Sequence, residues 1–110
     1  MAYKKNYKDL NYMQKLVLNL IPLEPSQIHS KDIARYLNEQ PRDIRYIIQT
    51  LRDKGIPICA TPKDGYWIAR TSWDLNGTIS KLRNHILNCQ DTLQSLLDAK
   101  AEIERSENGD

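Results

Sequence analysis

Apolar residues Leu10, Met13, Leu16, Val17, Leu20 and Ile21 recur three and four positions apart until Pro22 interrupts them. That spacing marks one face of a helix, and Asp9 offers a carboxylate to cap its start. The next stretch, Pro22 to His29, carries two prolines and closes on Gln27-Ile28-His29, which predicts a small strand rather than a helix. Ser30 then supplies a second cap and Asp32 a first-turn carboxylate suited to the helix dipole, so a second helix is predicted from Ser30 to about Leu37. Asn38 follows where a helix end often needs left-handed backbone. Pro41 can open a third helix without losing a hydrogen bond, and Ile44, Ile47, Ile48 and Leu51 give that helix an apolar stripe. Gly55 ends it after about Lys54.

Ile56 to Thr61 and Tyr66 to Ala69 favour strands, and Pro62-Lys63-Asp64-Gly65 between them is turn chemistry, so the pair predicts a β-hairpin. From Ser72 onward the pattern is one long helix. Leu75, Ile79, Leu82, Ile86, Cys89, Leu93, Leu96, Lys100 and Ile103 step alternately by four and three, a heptad period. The predicted fold is mainly α with a small β-hairpin. Its parts are an arm over 1–8, a compact domain over 9–70, a long helix over 71–104 and a disordered polar tail over 105–110.

Composition narrows the class. A chain of 110 residues, 40% hydrophobic and 27% charged, suits one globular core with appended elements. The longest apolar stretch, Leu16 to Leu23, is broken by Asn19 and Pro22 and falls well short of the roughly 20 residues of a membrane span. Met1 to Leu10 is polar and basic where a secretory leader would be apolar. Cys59 and Cys89 stand apart with no Cys/His cluster, which argues against zinc and for a reducing cytosol. No cofactor is expected.

Charge changes the picture more. The net charge is only +2, but residues 1–70 hold 12 Lys/Arg against 7 Asp/Glu, whereas residues 71–110 hold 4 against 7. A front of net +5 suits a polyanion, and a back of net −3 suits something else, such as a second copy.

Two helices joined by so short a turn must cross steeply around small or branched side chains. Ile33 and Ala34 face inward from the second helix, Leu37 closes it, and Ile44 and Ile47 face inward from the third. These offsets describe a helix-turn-helix, and the hairpin behind it makes a winged one. The apolar stripe leaves Arg42, Arg45, Tyr46 and Gln49 on the outer face of the third helix, with Gln40 and Asp43 near its entry. Arginine can pair bidentately with guanine and glutamine with adenine in a major groove, and Tyr46 suits sugar, phosphate or a thymine methyl. Asp43 is expected to pair with a nearby arginine or to read a cytosine amine. Lys63 at the hairpin tip, and Ser30 and Lys31 at the start of the second helix, suit phosphate. Lys4, Lys5 and Lys8 could follow a minor groove. Trp67 alternates with Tyr66 and Ile68, which are assigned to the core, so its indole either stacks on a partner or is covered by the last helix.

The runs Ile48-Gln49-Thr50-Leu51-Arg52-Asp53, Gly55-Ile56-Pro57-Ile58 and Pro62-Lys63-Asp64-Gly65-Tyr66 carry a resemblance over about residues 10–70. They are similar to the DNA-binding domain of the biotin operon repressor and related winged-helix regulators. In that family a ligase domain follows, but only 40 residues remain after Arg70, so biotin chemistry is not implied. The stand-alone form with a long last helix is more similar to phage and prophage DNA-binding proteins, which implies the cytoplasm of a bacterium or phage-infected bacterium. Glu39 departs from the apolar residue that helix-turn-helix proteins often place in the turn.

With Leu75 at heptad position d, Leu82, Cys89, Leu96 and Ile103 also fall at d, and Ile79, Ile86, Leu93 and Lys100 fall at a. Isoleucine at a with leucine at d favours two strands when helices run parallel. The orientation itself stays open. Leu75, Ile79, Leu82, Ile86, Cys89, Leu93 and Leu96 therefore form the expected homodimer seam, with Leu87 and Leu97 off it. The resulting expectation is a non-enzymatic, sequence-specific double-stranded DNA-binding dimer, a transcriptional regulator or a phage replication or recombination accessory factor. The alternative is a protein-interaction module on the same scaffold, such as an inhibitor of a host nucleic-acid enzyme. His29 and His85 are isolated, and there is no phosphate-binding glycine loop or nucleophile with a spaced base.

Overall fold

The computed structural model describes residues 9–63 and 65–109. The arm expected over 1–8, with Lys4, Lys5 and Lys8, lies outside the described residues, as does Asp64 of the hairpin turn. The chain divides after Thr78 into two units, a head and a remainder consisting of helix, and each is described by itself.

The head begins with α1 (Tyr12–Leu20). Its cap is Asn11 rather than Asp9: Asn11 Oδ1 accepts from the Gln14 amide at 2.8 Å, and Gln14 Oε1 accepts from the Asn11 amide at 2.9 Å. This reciprocal box needs an amide or carboxylate three residues after the cap, and only Asn11 has one on α1. Helix α2 (Ser30–Leu37) is capped by His29 with no side-chain hydrogen bond, so Ser30 is its first helical residue and not its cap. Asn38 ends it in left-handed backbone, φ 55 and ψ 48, and the amides of Asn38 and Glu39 both return to the Ala34 carbonyl. The turn thus closes on backbone hydrogen bonds, and Glu39 points to solvent where an apolar residue was the usual expectation. Helix α3 (Pro41–Asp53) starts with Pro41 in its first turn and passes through Lys54 to Gly55 at φ 90.

Strands β1 (Ile58–Thr61) and β2 (Gly65–Ile68) form an antiparallel hairpin with Cys59 opposite Trp67 and Ala60 opposite Tyr66. The strand expected at 27–29 is a single bridge: Ile28 and Tyr66 exchange amide hydrogen bonds of 3.0 and 2.7 Å. A second bridge, at Leu23, meets the other end of β2, where Ile68 donates to the Pro22 carbonyl and Glu24 donates to the Ile68 carbonyl. Pro22 and Pro25 lack the amides that a continuous strand would need. The approach is closest at Gly65, which combines φ +95 with a position where a Cβ would lie 2.4 Å from the Ile28 carbonyl oxygen. No other residue type fits that backbone and that space together.

Val17, Ile21, Ile33, Ala34, Ile44, Ile48, Leu51, Ile56, Ile58 and Ile68 join one core, with Leu37 and Ile47 packed at its edge. Helix α3 lies against both α1 and α2. Two polar residues are drawn into this packing. Buried Gln14 donates through Nε2 to Thr50 Oγ1 at 2.9 Å, and that hydroxyl donates to the Ile47 carbonyl, so α1 and α3 share a satisfied hydrogen-bond chain. Arg52 donates to the Ile58 carbonyl at 2.9 Å, tying the end of α3 to β1, and burial lowers its pKa.

The last helix does not begin at Ser72. Ser72–Leu75 is a 3-10 turn held by a capping box between Thr71 and Asp74, and Asp74 also accepts from the Arg70 amide at 3.0 Å. Its Asp74 carbonyl accepts from the Cys59 thiol at 3.2 Å, so the turn closes over the Cys59 side of the hairpin. Burial pushes that thiol's pKa up. Trp67, opposite Cys59, is half-buried, and its indole N–H is enclosed without an acceptor.

Helix α4 (Asn76–Glu107) is 32 residues long. It runs past the start of the expected disordered tail, because no breaker precedes Asn108 and Gly109, the latter at φ 84. Leu75 falls before α4, half-buried in the 3-10 turn rather than on the long helix. No residue of α4 is buried, and Ile79, Leu82, Ile86, Leu93, Leu96 and Ile103 are all exposed. No helix among the described residues is long and apolar enough to cross a membrane.

Candidate nucleic-acid interface

The buried stripe of α3, Ile44, Ile48 and Leu51, fixes which side chains turn away from the core. Arg42, Asp43, Arg45, Tyr46 and Gln49 are all exposed, and Tyr46 keeps 70% of its surface. Neither Arg42 nor Arg45 is held in an ion pair, since the single salt bridge among the described residues is Arg35 to Asp32 on α2, at 3.5 Å. The pairing expected for Asp43 is therefore absent. Its carboxylate sits in the first turn of α3, where the helix dipole favours it without an arginine. Gln49 is not free. Its amide donates to Asp53 Oδ1 at 3.0 Å, so reading a base would require breaking that contact.

Arg45 faces a groove of about 330 Å³ shared by three elements. The start of α2 contributes His29 and Ser30, and the hairpin contributes Ala60, Thr61, Pro62 and Tyr66. The bridge between Ile28 and Tyr66 is what brings α2 and the hairpin together there. Ser30 and Arg45 thus line the same groove. Lys31 is exposed in the first turn of α2, Gln40 is the exposed N-cap of α3, and Lys63 is exposed in the hairpin turn. His29 and Tyr66 line the groove without having been singled out for it. Their signal is tertiary, because it depends on a bridge that no local pattern announces.

Capping separates the helices of the head. The starts of α1 and of the 3-10 turn are closed by side-chain boxes, whereas α2 and α3 have no side-chain cap. The Asp32 and Asp43 amides already donate to the His29 and Gln40 carbonyls and Pro41 has no N–H, so the first-turn amides left for an external acceptor are those of Ser30 and Lys31 on α2 and Arg42 on α3. A larger groove of about 460 Å³ lies along α1, lined by Leu10, Leu18, Ile21, Leu23 and Ile68 with Lys15 as its one charged residue, so it lacks the cations of the α3 side. No group of three or more metal-ligating side chains occurs among the described residues. No family model, curated protein or solved structure matches this chain.

Proposed function

We propose that this protein is a non-enzymatic, sequence-specific double-stranded DNA-binding protein, a winged helix-turn-helix head that works as a homodimer through α4 to regulate transcription. The observation that carries the reading is the outer face of α3. Arg42, Arg45 and Tyr46 stand exposed and unpaired on the helix that a helix-turn-helix would lay in the major groove. Arg42 and Arg45 read base edges, Tyr46 meets sugar and phosphate, and Lys63 meets the backbone beside them. The groove beside Arg45 suits a phosphate oxygen at the start of α2, which has no side-chain cap, and leaves the Arg45 guanidinium for a base edge. The basic excess of residues 1–70 supplies the long-range attraction.

Binding-site selection from random duplexes, followed by gel shift, tests this. Arg42→Ala and Arg45→Ala are each expected to weaken the selected site by about 1–3 kcal/mol and to relax preference at particular bases. Lys63→Ala is expected to weaken all sequences alike and to lower the salt slope by about one. A folded double arginine variant that shifts DNA as the wild type does would sink the reading. Absence of any shift at low salt would favour the alternative in which the scaffold binds a protein.

A further inference from the structure

We infer that α4 pairs with α4 of a second copy in antiparallel orientation, centred near Asp91, with heads attached at opposite ends of the pair. This rests on the homodimer reading and fixes what that reading leaves open. Two features of α4 choose the direction. The first is charge. Residues 76–90 carry Lys81 and Arg83 and no acid, whereas residues 91–107 carry five acids, Asp91, Asp98, Glu102, Glu104 and Glu107, against Lys100 and Arg105. Parallel helices would set the basic half on the basic half and the acidic half on the acidic half. Antiparallel helices set the basic half of each beside the acidic half of the other, with Asp91 near its own copy at the centre.

The second feature is the seam. In a parallel, in-register pair every layer faces itself, so Lys100 at position a would meet the partner's Lys100 inside an otherwise apolar stripe. Turning the partner round by the register that overlaps nearly all of α4 gives layers of Ile79 with the partner's Ile103, Leu82 with Lys100, Ile86 with Leu96, and Cys89 with Leu93. Each ammonium then lies along a leucine, its stem covering apolar surface while the head reaches solvent. Arg83 and the partner's Glu104 fall on the same edge of the seam. Ile79, Leu82, Ile86, Leu93, Leu96 and Ile103, all exposed in the single chain, are covered in this arrangement without burying Lys100 against its own copy.

Disulfide trapping on the full chain decides it, without DNA, so its outcome is independent of whether the head binds DNA. In a Cys89→Ala background, Ile79→Cys and Ile103→Cys proteins are oxidised separately and mixed, one carrying a size tag. The expected result is a cross-linked heterodimer from the mixture and little or none from either alone. Self-cross-linking of each single variant would establish the parallel pair and overturn the proposal. So would a monomeric wild type by light scattering at tens of micromolar, or a dimer in which no combination cross-links. Because those substitutions touch the seam, a second readout uses an exposed position. Spin labels at Arg105→Cys in the same background should lie about 42 Å apart, from the 28-residue offset at 1.5 Å per residue. Separations within about 20 Å, the width of two adjacent helices, would overturn it.

Discussion

Val17, Ile33 and Ile44 in the head and Ile79, Ile86 and Leu93 in α4 are similar side chains at similar helical spacing. The first three are 0% exposed, and the second three are 44%, 50% and 58% exposed. In the head, each apolar face has a second face from the same chain, because α1, α2, α3 and the hairpin meet within 70 residues. Along α4 no residue is buried. A period of 3.5 or 3.6 residues therefore says that a face must be covered, and only the presence or absence of neighbours says by what.

The sharpest way to break that comparison is to remove one side chain from each region. Leu51→Ala should destabilise the head by about 2–5 kcal/mol, the range for a fully buried leucine. Tryptophan fluorescence during urea unfolding checks it, since Trp67 and Trp73 both precede Thr78 and report on the head alone. Ile86→Glu should leave that transition in place while converting a dimer to monomers by light scattering, because the charge has no apolar neighbour to offend until a second copy arrives. A matching shift of the head's midpoint would show that the two regions are one cooperative unit after all.

A smaller effect sharpens the head side of the comparison. Thr50→Val keeps the shape but removes the acceptor for buried Gln14, at a cost of about 1–3 kcal/mol. Thr50→Ser, which keeps the hydroxyl, should lose less than Thr50→Val, and a serine variant no more stable than the valine one would deny the hydrogen bond its part. The smallest effect is chemical. Iodoacetamide on the monomeric Ile86→Glu protein should label Cys89, which is exposed in the single chain, and spare Cys59 until denaturant is added, which mass spectrometry reads directly. Burial also raises the Cys59 pKa, so its reactive thiolate is scarce at neutral pH while the head is folded.

The bounds of α2 and α3 were legible because their signals are local. Asn38 at the left-handed end of α2, Pro41 opening α3 and Gly55 after it act within one turn of where they stand. The features that were hidden depend on distant residues. Gln14 reads as a solvent position on α1, but Thr50 lies 36 positions away and gives it a reason to be buried. Leu75 fits the heptad, yet Thr71 and Asp74 tighten that stretch into a 3-10 turn under the hairpin. Arg42 and Arg45 on the outer face of α3 were readable from the stripe beneath them, whereas His29 and Tyr66 entered the groove only through the Ile28 bridge.

Gly65 bears on how this chain could change over generations. Exposed residues of α3 and α4 can drift with whatever they bind, and core positions can trade one aliphatic for another. Position 65 can do neither, because any side chain there strains the backbone and strikes the Ile28 carbonyl. A descendant that lost this glycine would have to move the hairpin away from the start of α2 and open the groove between them. Distant relatives that keep the groove should therefore keep a glycine at the end of the hairpin turn, even where little else in their sequences agrees.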